Sequence, residues 1–262
     1  MTENRLTNTL EDQYFRQCFA TLNTHTLEQQ QRAELLNRVD EKYLIRLADL
    51  PHILRRCAEE YSVLSLDGDT APLYRTCYYD TRDMSCFLAH HNGVLPRFKI
   101  RTREYCNSHS CFLEIKTKTN KERTIKERTP VPSCDPDELR KNLLLPGEFS
   151  AMLEVTYKRT TLLHGRDEER VTFDHNLSFC NIATKCTAAT SGTLIVEVKN
   201  SSKAGQSIMC RALRQAGYRP VNFSKYCNGC LLTNVSGSKH NRFKSQLAAL
   251  HRTSPIYTGV AL

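Results

Sequence analysis

The stretch "KIRTREY" at residues 99–105 places Lys99, Arg101 and Arg103 at alternate positions. "LEIKTK" follows with Glu114, Lys116 and Lys118 at the same spacing. In an extended strand, residues i, i+2 and i+4 point to one side, so each stretch lines up charge on one strand face. The pattern recurs with Arg38, Asp40 and Lys42; with Lys126 and Arg128, Glu122 in phase; with Arg170, Thr172 and Asp174; and with Glu197 and Lys199. The wet face of a half-buried antiparallel sheet explains one such row. It explains the set poorly, because Arg and Lys dominate and every carboxylate sits beside a cation. Crowded cations are tolerated when a polyanion neutralises them. Arginine forks hold phosphate oxygens at two points, and lysine binds as a point charge. Carboxylates among them suit Mg2+ or Mn2+, which takes one or two carboxylates together with phosphate oxygens. The ligand these requirements describe is a triphosphate. No G-x-x-x-x-G-K-[ST] loop is present, so strands rather than a P-loop must supply the grip.

The elements that would carry these rows follow from periodicity and turn residues. "LNRVDEKYLIRL" reads as a strand with one charged face, and further strands are expected at 73–79, 85–90, 94–105, 110–118, 123–129, 151–163, 169–174 and 193–199. "HHNG", "CNSHS", "KTNK", "HGRDE" and "TAATSG" read as the turns between them. Helices are expected over 10–36, over "ADLPHILRRCAEEY" with Asp49 as N-cap, and over "PSCDPDELRKNLL" with Asp135 as N-cap and Pro136 at the first helical position. Another covers "SSKAGQSIMCRALRQAG", opened by Ser201 or Ser202 and closed by Gly217. Residues 236–262 show no clear strand pattern and read as a tail. The expected class is α+β: an antiparallel eight-stranded tunnel, closed as a barrel, charged and water-filled inside, with helices packed outside. A helical segment at 1–36 precedes the tunnel domain at 37–235.

Composition sets the remaining bounds. The formal net charge is +9, and ten Lys or Arg face four Glu between Arg97 and Arg128. Such a block expects an anionic partner. Few aromatics interleave with it, which argues against single-stranded nucleic acid, since that needs stacking platforms. No window of about 18 apolar residues could span a bilayer, and the polar, acid-bearing start is no signal peptide. A cytoplasmic setting is expected, and with it the twelve cysteines as free thiols rather than disulfides or a zinc site. His90-His91, beside "NG", reads as part of a hairpin turn.

Several ordered motifs, "RVDEKYLI", "YYDTRDMSCFLAHHNG", "KIRTREY", "LEIKTK", "TIKER", "YKRT", "RVTFD", "LIVEVKN" and "FSKYCNG", resemble the VTC domain family. That family is the polyphosphate polymerase branch of the triphosphate tunnel (CYTH-like) superfamily, and the resemblance runs from about Arg38 to Gly229. It implies an eight-stranded tunnel with phosphate-binding roles for Lys42, Arg101, Arg103, Lys116, Lys126, Arg159, Arg170, Lys199 and Lys225. It also implies a metal role for Glu197; Glu114 and Glu154 are metal candidates from in-phase placement alone. The expected activity is transfer of the γ-phosphoryl group of ATP to a growing polyphosphate chain with Mn2+ or Mg2+. Arg101, Arg103, Lys116, Arg159 and Arg170 would hold the phosphates, and Lys42, Lys126, Lys199 and Lys225 would guide acceptor or product. Hydrolysis of a tri- or polyphosphate, or binding without catalysis, are the alternatives. In one place the chain departs from the polymerase pattern: Asn222 stands three residues before the lysine of "SKY", where the family has a lysine. Arg219 is a candidate replacement.

Overall fold

Alternation of charged and apolar residues produces a single sheet with two dissimilar faces. The computed structural model describes residues 2–32, 39–121, 124–141, 148–165, 169–200, 207–235, 241–253 and 256–260. Its strands are β1 (Thr24–His25), β2 (Val39–Arg46), β3 (Tyr61–Leu64), β4 (Leu73–Thr81), β5 (Arg97–Tyr105), β6 (Ser110–Lys118), β7 (Thr124–Val131), β8 (Phe149–His164), β9 (Glu169–Asn181), β10 (Cys186–Thr190), β11 (Thr193–Asn200) and β12 (Ile256–Val260). Its α-helices are α1 (Thr2–Phe19), α2 (Leu27–Arg32), α3 (Leu50–Leu54), α4 (Ser85–Asn92), α5 (Pro136–Lys141), α6 (Ile208–Gln215), α7 (Lys225–Leu232) and α8 (Lys244–Thr253).

Eight strands pair in the order β2-β11-β9-β8-β4-β5-β6-β7, all antiparallel. The expected closure is not found. Among the described residues β2 and β7 do not pair, so the eight strands form an open sheet with those two as edges. The reason is local. The edge of β2 is met by the extended segment before α7, where Val221 N–H donates to the Lys42 carbonyl at 2.7 Å. Strand β7 is exposed at every residue but Val131. Four more strands extend the sheet beyond the expected eight: β1 pairs with β3, β3 with β8, β10 with β9, and β12 with β10.

Directly paired residues share a face, and the registers therefore put the charge rows on one side. Helices α1, α3 and α6 cover the other side, burying Phe15, Leu50, Ile53 and Met209 against Tyr43, Phe173 and Val196. Leu139 of α5 packs there against Tyr79, Ile100 and Leu113. On the charged side, α7 with Phe87 of α4 and Leu250 of α8 packs on Leu153, Phe179, Tyr78 and Leu44. The expected water-filled interior is thus partly filled by an apolar plug. Gly229 makes that packing possible, since a Cβ there would lie 2.5 Å from Leu153 Cδ2 and 2.6 Å from Phe179 Cδ1.

Other expectations are corrected. Residues 85–90 form a helix rather than a strand. The buried Asp80 carboxylate accepts the Cys86 and Phe87 N–H groups at 2.9 Å each, which fixes the start of α4, and also accepts the Tyr226 hydroxyl at 2.5 Å. His90 and His91 lie in the last turn of that helix, which Gly93 closes at φ +74°. Asp49 precedes α3 without capping it; its carboxylate takes the Arg46 guanidinium at 2.9 Å and the Tyr218 hydroxyl. Ser207 caps α6, accepting Cys210 N–H at 2.9 Å, while Ser201 and Ser202 lie outside the described residues, as do Arg38 and Glu122. Asp135 does accept the Asp137 N–H at 2.9 Å ahead of α5. In "TAATSG" Thr187–Thr190 belong to a short strand and only Ser191 and Gly192 form the turn, and the 236–262 tail contributes both α8 and a strand.

Candidate functional site

The charged side of the sheet is organised around three carboxylates. Glu114 on β6 stands opposite Arg101 on β5 and Arg128 on β7. It is 2 % exposed and accepts Arg101 Nη2 at 2.6 Å and Nε at 2.7 Å; Lys126 Nζ lies at 2.9 Å, and Arg103 and Arg128 at 3.8 Å each. Burial works to raise the Glu114 pKa, but Arg101, Arg103 and Lys126 outweigh it and hold the group well below the usual carboxylate range. Asp174 on β9 stands opposite Arg159 on β8, which grips it with two bonds of 2.5 and 2.8 Å. Lys225, the first residue of α7, donates to the same carboxylate. Burial opposes ionisation of Asp174 too, and Arg159 and Lys225 again prevail.

Glu197 on β11 stands opposite Lys42 on β2 and Thr172 on β9. Its cations are more distant, Lys199 at 3.7 Å and Lys42 at 4.0 Å, yet its pKa is also held low against burial, mainly by these two lysines.

Aromatic rings floor the cations. The Arg159 guanidinium lies 5.3 Å from the Tyr157 ring centre and 5.5 Å from that of Tyr74. Lys225 Nζ lies 4.4 Å from the Tyr157 ring, and Arg103 lies 5.9 Å from Tyr74. Arg101 lies over Tyr78 at 5.9 Å and donates to its hydroxyl at 3.3 Å. The face of an aromatic ring attracts cations, so this floor helps hold several of them together without further carboxylates.

Toward one end, these rows open into a cavity of about 580 Å³. Lys42, Lys99, Lys116 and Glu197 line it, as do Asn222 and the turn that precedes α8. Lys99 donates to the Ser224 hydroxyl at 3.1 Å. Burial, with repulsion from Lys42, Lys116 and Arg101, pulls its pKa down to about 8. Lys116 is lowered as well, by burial and by Lys42.

The structure therefore brings Arg101, Arg103, Lys126 and Glu114 together, sets Arg159 and Lys225 on Asp174, and places Lys42, Lys116, Lys199 and Glu197 around the cavity end. Arg170 lies beside them in register, opposite Lys199, but turns toward α2 and donates to the Gln30 carbonyl at 2.8 Å. Glu154 stands opposite Cys77 on the other face, 3.9 Å from Arg75, away from these groups. Arg219 is exposed and donates to the carbonyls of Arg214 and Tyr218, so it does not replace the cation absent at Asn222. Sequence reasoning gave no role to Asp174, to the Tyr74, Tyr78 and Tyr157 floor, or to Arg242. Only Asp174 left a signal, its phase with Arg170.

Fold and site together define an α+β protein whose antiparallel sheet carries a cation-rich face ordered by buried carboxylates. The VTC domain family model matches residues 37–143 and 139–234, and the chain belongs to that family. No curated protein sequence matches it. Similar solved structures include a putative adenylate cyclase from Bacillus halodurans, at 13 % identity and TM-score 0.46 over 72 % of this chain and 94 % of that one. A putative adenylyl cyclase from Hippeastrum, described as having a dominant triphosphatase activity, aligns at 12 % identity and TM-score 0.43 over 78 % and 98 %. A conserved hypothetical protein from Pyrococcus furiosus aligns at 15 % and 0.44 over 71 % and 98 %. Likeness at this level carries no inference about activity.

Proposed function

We propose that the protein is a metal-dependent, cytoplasmic polyphosphate polymerase, moving the γ-phosphoryl group of ATP to a polyphosphate chain and releasing ADP. The observation that carries this reading is the continuity of the cation rows. Arg101 and Glu114 lead, one strand repeat on, to Lys99 and Lys116 in the cavity wall. A chain of phosphates has charge along its length, and such a row fits it better than it fits a single anion.

In this reading Arg101, Arg103, Lys116 and Arg159 hold the phosphates of ATP, while Arg170, expected among them, is tied to the Gln30 carbonyl. Lys42, Lys126, Lys199 and Lys225 guide the acceptor or the product. Glu114 is already surrounded by four cations and serves to set the arginine forks. Glu197, more loosely paired, is the better metal candidate. Among the described residues no three His, Cys, Asp or Glu side chains cluster to hold a metal, so the remaining ligands would be phosphate oxygens, as Mg2+ commonly takes them. When bound, the ion supplies charge neutralisation across those oxygens. An oxygen of the acceptor's terminal phosphate attacks the γ-phosphorus in line. The bond to the bridging oxygen breaks, and its electron pair leaves with ADP. The acceptor oxygen is already anionic, so no general base is needed. Catalysis rests on positioning and on charge stabilisation of a loose transition state.

Asn222 favours a second reading, hydrolysis, in which water takes the acceptor's place. It lines the cavity where the family pattern has a lysine, and loss of that cation weakens the hold on a growing chain. Incubation with ATP and Mn2+ separates the readings: ADP with polymer supports polymerase, ADP with free phosphate supports hydrolase, and no turnover rejects both. Glu197→Gln is expected to abolish metal-dependent turnover and leave triphosphate binding within a few-fold. Unchanged turnover across a Mn2+ titration would remove Glu197 from the metal site.

A further inference from the structure

The family match ends at residue 234, yet the cavity wall does not. Arg242, Phe243 and Gln246, from the turn and helix after that point, complete it. Arg242 reaches over the end of α4, where its Nη1 lies 3.3 Å from the place a Cβ on Gly93 would occupy. Around the same cavity stand Arg97 and Lys99 from β5 and Lys118 from β6. In all, six cations (Lys42, Arg97, Lys99, Lys116, Lys118 and Arg242) face the two carboxylates Asp40 and Glu197. Glu114 and Asp174 neutralise the cations of the inner rows at close range; Arg97, Lys118 and Arg242 have no ion pair with a described carboxylate. Two imidazole nitrogens at the wall, His90 Nδ1 and His91 Nε2, are buried without a protein partner.

We infer that Arg97, Lys118 and Arg242 form an outer anion subsite, supplied in part by the C-terminal segment, which binds the phosphates of a polyphosphate chain beyond those held by Lys42, Lys116 and the inner rows. The inference rests on the proposed function and adds a second site to it. The chemistry points to phosphate rather than nucleic acid. The rings at the wall, Phe223 and Phe243, are 5 % and 4 % exposed and offer no stacking face for a base. The outer cations come from three separate elements, β5, β6 and the turn before α8, and ring a space large enough for several phosphate groups.

The test compares affinities of the full chain for inorganic triphosphate and for long-chain polyphosphate by titration calorimetry at fixed salt. Wild type should bind the long chain more tightly. In Arg242→Ala, and in the double variant Arg97→Ala with Lys118→Ala, the ratio of long-chain to triphosphate affinity should fall by about tenfold, the scale of one or two charge-assisted contacts. Arg252→Ala, a cation on α8 outside the cavity wall, should leave the ratio unchanged. Thermal unfolding of each variant checks the fold, and because Arg242 is exposed its transition should match wild type. An unchanged ratio in both cavity variants overturns the outer subsite, as does tighter binding of a single-stranded RNA than of polyphosphate. Failure of the proposed function looks different: wild type then fails to bind triphosphate or turns over no ATP, whatever the ratio in the variants.

Discussion

At Glu114 one carboxylate holds four cations, and removing it should cost more than removing any one of them. Glu114→Gln leaves converging cations with little to balance them. It should destabilise the ligand-free protein by about 3 kcal/mol, the scale of breaking one partner out of a buried ion pair. Denaturant unfolding reads this directly, and added polyphosphate should recover more stability in the variant than in wild type. The pH dependence follows from the sign of the shift. The folded pKa lies below the unfolded one, so the wild-type contribution is present above about pH 4.5 and is lost as pH falls through the folded value. Unfolding of wild type in that acid window should therefore be steeper than that of Glu114→Gln. Lys99 has the opposite linkage. Its folded pKa of about 8 lies below the ordinary lysine value, so charging it costs the empty fold stability at neutral pH. That cost fades as pH rises from about 8 to about 10.4, and ligand-free stability should rise there in wild type relative to Lys99→Met. The groups that set this, besides burial, are Lys42 on β2, Lys116 on β6, Arg101 on β5 and Cys227 on α7, the last acting to raise the value. Polyphosphate binding should draw a proton onto Lys99 near pH 8, visible as calorimetric heats that depend on buffer ionisation.

The elements were legible where both faces of a strand made demands. The expected bounds of β6 match to the residue, and those of β4, β5, β7, β8 and β11 to within a few residues, because cations on one side and branched apolar residues on the other leave a single register. The helix at 85–92 is not legible in the sequence because "SCFLAH" is apolar without a clear period. The deciding contact is the Asp80 carboxylate, in the preceding strand, on two N–H groups of the helix start. β10 leaves little signal because its five residues are small, and β12 because its partner lies some seventy residues earlier in the chain. The pairing of Arg159 with Asp174 depends on register across a bulge between Thr156 and Lys158, which no single strand reveals. At this scale the sharpest test is Gly229→Ala. The added methyl meets two side chains that are fully buried, so overpacking should cost about 1–3 kcal/mol in unfolding free energy. No change would mean that α7 sits less tightly on β8 and β9 than its contacts require.

For the molecule as a whole, the C-terminal residues are integral rather than appended. Phe243, Ala249 and Leu250 are buried in the same core as the plug helix. A chain ended after Val235 loses that cover along with Arg242. Its melting temperature should fall by several degrees, since burial of large apolar side chains contributes roughly 1.5–3 kcal/mol each. An unchanged melting temperature would mean that these contacts add little to the fold. β7 bears on the molecule in company. Among the described residues it is an edge strand with its backbone groups unpaired along one side, which is the usual template for joining two molecules edge to edge. Lys126, Glu127 and Arg128 stand along it, and like charges on two such edges keep copies apart. A polyanion that occupies the cation rows cancels part of this repulsion. Bound polyphosphate is then expected to lower solubility: light scattering should rise with polyphosphate at the stoichiometry where the rows are filled, and rise further when salt screens the remaining repulsion.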